Sequence, residues 1–446
     1  MTSMTELSEL AVSAYFYYYP LVENLNQVRR YVTTGVGSTP AAPFNRFAHA
    51  RKLAGPEDTF VTINNDTVYS MAQIDLSLGP LELDVPDTDD RYYVLQFVDA
   101  WTNNIAYVGT RATGNRAGRF MIVPPGWQGE LPSDRQAIQA STNVISIVGR
   151  FACAGPEDIP AVSALQDALR LAPFSGTVAA PQGLPEADAA VPEALLFWEE
   201  ARLWSQAFPA PAEEPNYAAQ FAKLGTSEAT SLFINASAEF AKALEAGLKA
   251  GVEKLEYATH HGSAPVFNGW TVGLHLFDYN SYALSLGTLD DDHWKILDEQ
   301  QRIVERAVAC RLGLWGNHAY EAVYAQAFTD VSGEPLVGER HYTMTFPERP
   351  PVGAFWSITL YDIPRYYLAA NPIDRYSIGD RTAGIRYAED GSLQITITHE
   401  EPQDAVARAN WLPAPEGRFR LVFRLYVPGE SILDGSYEYP ALLAAD

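Results

Sequence analysis

Two segments of the chain hold carboxylate, amide and phenol side chains in patterns that suit acid–base chemistry. The first is the run Asn64-Asn-Asp-Thr-Val-Tyr69, which contains Asp66 and Tyr69. The second is the run Arg91-Tyr-Tyr-Val-Leu-Gln-Phe-Val-Asp99, which ends in a carboxylate. A carboxylate or a phenol that faces a pocket can serve as a general acid or base. We therefore predict Asp66, Tyr69 and Asp99 as catalytic residues.

A larger set of polar and aromatic side chains is predicted to hold a substrate. Side chains alternate between the two faces of a strand, so Val94, Gln96 and Val98 share one face. A polar group in mid-strand beside an aromatic wall is typical of a small-molecule pocket. Arg381, near the C-terminus, offers a planar fork that suits a substrate carboxylate. The predicted substrate-binding residues are Asn65, Thr67, Gln96, Trp101, Asn104, Trp356 and Arg381.

Each of these patterns also has a structural interpretation. The run from Asn64 to Thr67 is typical of a turn in which an asparagine side chain binds nearby backbone groups. The polar groups around Gln96 and Asp99 would equally suit a buried hydrogen-bond network. Asp380 and Arg381 would equally suit an ordinary salt bridge. The residue types alone leave both interpretations open.

Metal and cofactor signatures are sparse in the sequence. The eight histidines form no metal-binding motif of known spacing, although His275 with Asp278 would suit zinc or iron. The chain has no Gly-x-Ser-x-Gly elbow, no phosphate-binding glycine loop and no dinucleotide fingerprint. We therefore predict no metal and no organic cofactor, with a metal-dependent enzyme that uses His and Asp ligands as an alternative.

The composition excludes several classes of partner. The 446 residues include 55 acidic and 31 basic side chains, which gives a net charge of −24. Such a charge repels nucleic acid and anionic membranes. No apolar run approaches the roughly 18 residues of a spanning helix. The N-terminal segment is acidic and lacks the basic region of a secretory signal, so a cytoplasmic location is expected.

Hydrophobic periodicity predicts strands at both ends of the chain and helices between them. A period of two marks strands at 60–63, 67–74, 92–98, 104–109, 119–123 and 143–148, and again at 323–328, 340–346, 355–361, 393–398 and 419–426. Helical spacing marks residues 5–34, with two helices or one kinked at Pro20, and also 158–169, 216–224, 227–248 and 293–310. The predicted fold is α+β and β-rich, with two antiparallel β-sandwich or jelly-roll-like domains and a helical middle segment.

The polar blocks also resemble a known combination of domains. Asn65-Asp-Thr-Val-Tyr69 and Tyr92-Tyr-Val-Leu-Gln96 resemble domain of unknown function 1254. Phe355-Trp-Ser-Ile-Thr-Leu-Tyr-Asp362 and Asn410-Trp-Leu-Pro-Ala-Pro415 resemble domain of unknown function 1214. The resemblance implies a bacterial two-domain protein with no reaction attached. The predicted divisions are N-terminal helices at 1–41, a first β domain at 42–171, a helical connection at 172–318 and a second β domain at 319–446.

These observations favour an enzyme that acts on a small polar or aromatic molecule. The chemistry would be that of a cofactor-independent hydrolase or lyase, carried out by carboxylate and tyrosine side chains. The alternative is a non-catalytic binding or assembly protein. The 24 tyrosines and nine tryptophans suit that alternative too, because both residue types are common at oligomer contacts.

Overall fold

The computed structural model describes residues 4–174, 180–262 and 264–445. Its α-helices are α1 (Met4–Thr33), α2 (Ile159–Ala168), α3 (Leu196–Ala207), α4 (Ala238–His260), α5 (Glu299–Gly313), α6 (Ala405–Ala409) and α7 (Glu430–Leu433). Short 3-10 helices cover Pro156–Asp158, Glu193–Leu195, Tyr217–Leu224 and Asp292–Trp294.

The strands fall into an N-terminal and a C-terminal group. The first group is β1 (Arg46–His49), β2 (Thr67–Asp75), β3 (Leu81–Val85), β4 (Tyr93–Asp99), β5 (Asn104–Gly109), β6 (Gly118–Val123), β7 (Gln136–Gln139), β8 (Val144–Ala152) and β9 (Arg170–Pro173). The second is β10 (Val266–Phe267), β11 (Trp270–Val272), β12 (Ala322–Ala327), β13 (His341–Phe346), β14 (Trp356–Asp362), β15 (Ser377–Gly379), β16 (Leu393–Thr398), β17 (Trp411–Pro413), β18 (Phe419–Tyr426) and β19 (Leu442–Ala445).

Each group of strands forms two sheets that pack face to face. In the first group, a five-stranded sheet of order β1-β2-β8-β4-β5 packs on a four-stranded sheet of order β7-β6-β3-β9. In the second, a six-stranded sheet of order β10-β11-β12-β18-β14-β15 packs on one of order β17-β16-β13-β19. Neighbouring strands are antiparallel, apart from the parallel pairs β6–β7 and β16–β17. The five-stranded and six-stranded sheets are called the inner sheets below.

The two inner sheets face each other across the boundary between the domains. Strands β8 and β18 are buried along their whole length. Alternate residues of each enter the core of their own sandwich, and the others face the opposite domain. The facing side of β8 carries Val148 and Arg150, and that of β18 carries Arg420, Arg424 and Tyr426. Strands that are buried on both faces usually have continuously apolar sequences. In β8 and β18, however, the side that faces the opposite domain carries charged arginines, which are costly to bury.

The helices form a third core beside the inner sheets. Helix α1 packs on α3, α4 and α5, and two glycines of α4 permit its close approach. A Cβ at Gly247 would lie 2.3 Å from the Cβ of Ala11, and one at Gly251 would lie 2.7 Å from the Tyr15 ring. Larger residues at these two positions of α4 would force the helices apart.

Several helix and strand boundaries differ from the sequence prediction. Of the two arrangements predicted for the N-terminal residues, a single helix is present, and α1 continues through Pro20. Residues 60–63 form turns instead of a strand. Helix α4 begins after Ser237, whose hydroxyl accepts the Phe240 amide, and α5 begins after Asp298, whose carboxylate accepts the Gln301 amide. These N-caps end the preceding loops and override the hydrophobic spacing that predicted earlier starts.

The predicted fold class is confirmed. The chain is α+β and β-rich, with two packed pairs of mainly antiparallel sheets and helices in the middle of the sequence. Within the ranges that the structure describes, no helix combines the length and apolar character needed to cross a membrane.

A partly buried histidine on edge strand β1 predicts acid sensitivity. Burial lowers the pKa of His49 to about 4, from 6.5. Between these values the unfolded chain binds a proton that the folded chain does not, so the free energy of unfolding falls as the pH drops from about 6.5 towards 4. We expect His49→Gln to lose less thermal stability than the unsubstituted chain between pH 7 and pH 5. Melting curves at both pH values test this, with the exposed His341→Gln as control; an unchanged loss in His49→Gln would contradict it.

Candidate functional site

Polar residues around Asp66 in the first domain meet polar residues around Ser357 in the second, at the boundary between the domains. The Ser357 hydroxyl donates to the Asp66 carboxylate at 2.7 Å. The Arg381 guanidinium donates to the backbone oxygen of Asp66 at 2.9 Å, and the Tyr361 hydroxyl donates to that of Ile63 at 2.6 Å. The segment just before β2 is thus fixed against β14 and the loop after β15.

A cavity of about 60 Å³ lies between the two inner sheets. We call it the interdomain cavity. Most of its wall is apolar or aromatic and comes from both domains and from the turn after α5. These residues are Tyr31, Phe60, Val61, Ile63, Met71, Val148, Leu276, Phe277, Leu312, Leu314, Trp315 and Val422.

One charged group of the cavity wall is Arg150 on β8. Its guanidinium donates to the Gln96 side-chain oxygen at 2.7 Å and to the backbone oxygen of Trp315 at 2.8 Å. It also lies 5.5 Å from the centre of the Tyr69 ring. Burial by itself lowers the pKa of Arg150, but the neighbouring phenols, Tyr69 first, raise it above its ordinary value. The side chain is therefore a fixed cation held by neutral partners.

The second charged group is Arg424 on β18. It donates to the Thr359 hydroxyl at 2.9 Å and to the backbone oxygen of Thr62 at 2.7 Å. Burial by itself lowers the pKa of Arg424, but surrounding phenols and the Asp66 carboxylate raise it above its ordinary value. Arg424 therefore also stays charged, and it anchors the loop that covers the cavity.

Three tyrosines complete the polar part of the wall. The Tyr69 oxygen accepts the Asn64 side-chain amide at 2.7 Å, and the Tyr324 oxygen accepts the backbone amide of Asn317 at 3.1 Å. The Tyr426 hydroxyl lies 3.5 Å from the Asp66 carboxylate. Burial first, and then the Asp66 carboxylate, raise the pKa of Tyr426 well above its ordinary value. Tyr426 therefore keeps its proton and acts as a hydrogen-bond donor.

A second, more polar cleft of about 350 Å³ is lined by Asp66. Four of the predicted site residues line it: Asn65, Asp66, Trp356 and Arg381. Burial raises the pKa of the nearby Asp380 carboxyl, and the charge of Asp66 adds to that effect. We call this the Asp66 cleft, and its wall again combines residues of both domains.

Comparison with known families identifies both domains that meet at this boundary. Residues 44–173 match the model of a protein of unknown function, DUF1254, and residues 321–430 match that of another, DUF1214. The chain belongs to the proteins that combine DUF1254 with DUF1214. The hydrogen bond from Ser357 to Asp66 therefore joins the DUF1214 domain to the DUF1254 domain.

A solved structure shares the fold of this DUF1254–DUF1214 chain. The crystal structure of the VPA0106 protein from Vibrio parahaemolyticus matches with a TM-score of 0.70 and 24% identity, over 99% of this chain and 100% of that one. An uncharacterized protein from Burkholderia cenocepacia matches with a TM-score of 0.48 and 9% identity, over 99% and 94% of the two chains. No curated protein matches the chain.

Asp99 of the DUF1254 domain lies apart from both cavities. Its carboxylate closes the turn after β4 and accepts the backbone amides of Trp101 and Asn103, the Asn103 side chain and the Ser141 hydroxyl, at 2.7 to 2.9 Å. Burial raises the pKa of Asp99, although these hydrogen bonds oppose the shift. This geometry favours a structural role, and the catalytic role stays a prediction.

Gln96 and Asn104 do not line the interdomain cavity but form hydrogen bonds with residues that do. The Gln96 amide donates to the Asn104 side chain at 2.6 Å and to the backbone oxygen of Gly316 at 2.8 Å, while its oxygen accepts Arg150. Asn104 also donates to Gly316 at 3.0 Å. The two amides thus fix the turn after α5 and orient the Arg150 guanidinium.

The remaining predicted residues have mainly structural contacts. Trp101 packs among the helices and donates to the backbone oxygen of Phe208 at 2.8 Å. Thr67 donates to the Asn64 side-chain oxygen, which also accepts two backbone amides in the predicted turn. The Trp356 ring packs in the core of the second sandwich, 4.6 Å from the Phe346 ring.

The predicted histidine–carboxylate pair is present in the helical connection. His275 contacts the Asp278 carboxylate at 2.6 Å, and His318 approaches its other oxygen at 2.8 Å. The hydrogen bond to Asp278 raises the pKa of His275. Within the described part of the chain, no three or more His, Cys, Asp or Glu side chains are grouped to hold a metal ion.

Sequence reasoning missed the two arginines of the interdomain cavity. Arg150 interrupts the apolar run of β8, and Arg424 lies at an alternate position of the apolar run of β18. A charged residue within a strand that is otherwise apolar indicates either a solvent face or a buried functional group. That signal was present, but only the packing of the two inner sheets shows which case applies.

The contacts of Asp99 predict a loss of stability on substitution. Asp99→Asn replaces a carboxylate oxygen with an amide that cannot accept all the present donors, so at least one buried donor loses its partner. We expect the free energy of unfolding to fall by about 1–3 kcal/mol. Urea unfolding measures this, with the exposed turn residue Asp390→Asn as the matched control. Equal stability of the two variants would contradict the structural role.

Proposed function

We propose that the protein binds a small molecule with an apolar, partly aromatic body in the interdomain cavity. The observation that carries the proposal is the cavity itself, which has an apolar wall and a few polar groups at fixed positions. Such a combination is the usual form of a ligand site. This corresponds to the binding alternative among the functions predicted from the sequence.

Aromatic side chains favour a flat ligand body. The Phe60 and Trp315 rings are stacked with their centres 5.2 Å apart, and Tyr31 lies 5.5 Å from Trp315. Phe277 and Tyr324 form another aromatic pair in the wall, 5.9 Å apart. Offset and edge contacts with such rings add to the free energy of burying an apolar ligand.

A polar groove adjoins the cavity and suits a route of entry. It shares Phe60, Val61 and Leu314 with the cavity wall and has a volume of about 200 Å³. Arg30 and Arg311 are among its polar residues. Movement of the Phe60 and Leu314 side chains would connect the groove with the cavity.

Filling the cavity should abolish ligand binding. Val148 faces the cavity from β8, and Val148→Phe would place a ring in the space proposed for the ligand. With a panel of small aromatic acids, amides and amines, we expect saturation-transfer NMR signals from the unsubstituted chain and at least about tenfold weaker binding by the variant. The control is Val406→Phe on the exposed side of α6. Binding that survives Val148→Phe, or its absence from the unsubstituted chain, would contradict the proposal.

Melting curves must accompany this comparison. An added methylene or ring in a packed core commonly costs about 1–3 kcal/mol. A folded Val148→Phe protein that fails to bind would show that the cavity is the site. If that variant does not fold, Met71→Phe fills the same space from β2.

A second candidate function is the predicted cofactor-independent hydrolase, with its site in the Asp66 cleft. The observation that favours it is the hydrogen bond of 2.7 Å from the Ser357 hydroxyl to the Asp66 carboxylate. A carboxylate in this position can accept the proton of a hydroxyl that attacks an ester or amide. Arg381 lines the same cleft and would suit a charged group of the substrate.

Substitutions at this pair test the hydrolase. With a panel of p-nitrophenyl esters, we expect Asp66→Asn and Ser357→Ala each to lower kcat/KM by about a hundredfold or more, because a general base or a nucleophile contributes roughly that much. Thr382→Ala, at the rim of the same cleft, is the control. Ester cleavage that is absent from the unsubstituted chain, or equal in all variants, would count against the hydrolase.

A further inference from the structure

The interdomain cavity has an uneven distribution of charge. Two guanidiniums, those of Arg150 and Arg424, belong to its wall, and none of the described residues that line it carries a carboxylate. Both arginines are almost fully buried, at 6% and 2% exposure. This contrasts with the whole chain, in which acidic side chains outnumber basic ones.

Some other buried arginines of the chain are balanced by a carboxylate. Arg202 pairs with Glu199 at 2.8 Å, and Arg306 pairs with Glu214 at 2.7 Å. In the part of the chain that the structure describes, neither Arg150 nor Arg424 has a carboxylate oxygen within 4.0 Å. A buried charge is costly without a counter-ion. The two cavity arginines, like the buried Arg302 and Arg420, lack the carboxylate partner that Arg202 and Arg306 have.

The Asp66 carboxylate, which interacts with Arg424, already accepts hydrogen bonds from other groups. It accepts the hydroxyls of Ser357 and Tyr426. Arg420, another fully buried arginine of β18, adds positive charge to the same interface and donates to the neutral oxygens of Gln326, Thr62 and Leu312. Glu321, another buried acid that interacts with Arg150, is engaged by Arg111 and Tyr92. Each of the arginines Arg150, Arg420 and Arg424 therefore lacks a directly paired carboxylate in the described part of the chain.

The hydrogen bonds around the cavity leave donors free and acceptors occupied. The Asn64 side-chain oxygen accepts three donors, and the Gln326 oxygen accepts Arg420. Tyr69 and Tyr324 accept amide N–H groups, and within the described ranges neither hydroxyl donates a hydrogen bond. A ligand must therefore supply acceptor oxygens.

We propose that the ligand of the interdomain cavity is a monocarboxylate, with its carboxylate between Arg150 and Arg424 and its apolar body against Phe60, Phe277 and Trp315. The inference rests on the proposed binding function and adds the charge of the ligand to it. Guanidiniums match carboxylates in geometry and charge, and the two free phenol protons supply further donors. The apolar wall accommodates an aryl or alkyl chain.

Matched acids and amides test the charge of the ligand. The probes are benzoate, phenylacetate, 3-phenylpropionate and hexanoate, each compared with its primary amide by isothermal titration calorimetry at pH 7. We expect at least one acid to bind about tenfold or more tightly than its amide, because hydrogen bonds to charged groups are stronger than neutral ones. Arg150→Gln and Arg424→Gln should each reduce this preference to near unity.

The controls separate charge from folding. Arg116→Gln removes a fully exposed arginine of the DUF1254 domain and should leave the preference unchanged. Binding of an amide with unaltered affinity by Arg150→Gln or Arg424→Gln would show that the cavity is intact. If a glutamine variant does not fold, Arg150→Lys and Arg424→Lys keep a cation but remove the fork, and each should retain only part of the preference.

The outcomes distinguish this inference from the function on which it rests. If amides bind as tightly as acids, the carboxylate assignment is overturned while binding in the cavity stands. If acids are preferred but neither glutamine variant changes the preference, the assigned position of the carboxylate is wrong. If no acid and no amide binds, both proposals fail.

Discussion

Burial of the inner sheets on both faces is the constraint on which the rest of the structure depends. Strands β8 and β18 have no solvent face, so every polar group on their facing sides must find a partner inside the protein. Arg150 satisfies this through Gln96 and the turn after α5, and Arg424 satisfies it through the loop at Thr62. The same hydrogen bonds that meet this requirement position the loops that enclose the cavity.

The two domains are therefore joined by hydrogen bonds, although the core of each domain is apolar. The backbone oxygens of Thr62 and Ile63 accept side chains of the DUF1214 domain, and Ser377 donates to Asn65. These contacts depend on the backbone positions of residues 62–66 and not on their side-chain chemistry alone. A dense polar motif in the sequence can therefore record a domain contact as well as a catalytic group, and Asp66 takes part in both the contact and the cleft.

The sequence predicted the fold class and most of the long strands. This was possible because apolar residues at every second position mark the strand face that packs in the core, whatever the opposite face of the strand contacts. It predicted the polar turn at Asn64 for the same local reason, since that side chain bonds to its own neighbours in the chain. It could not predict that Asp66 faces Ser357, because that contact depends on how two sheets dock. For Asp99 the residue type suggested chemistry, whereas its four donors come from the adjacent turn and from Ser141.

The position of the cavity gives a physical reason for the two domains to occur in one chain. Tyr69 and Arg150 come from the DUF1254 domain, and Tyr324 and Arg424 come from the DUF1214 domain, so neither domain alone forms the polar part of the wall. A ligand that contacts both guanidiniums would bridge the inner sheets and place a negative charge beside Arg150 and Arg424. Binding of this kind stabilises the docked arrangement in proportion to its affinity, because the ligand has no comparable site on the separated domains. Docking of the two domains and occupation of the cavity would then be thermodynamically coupled.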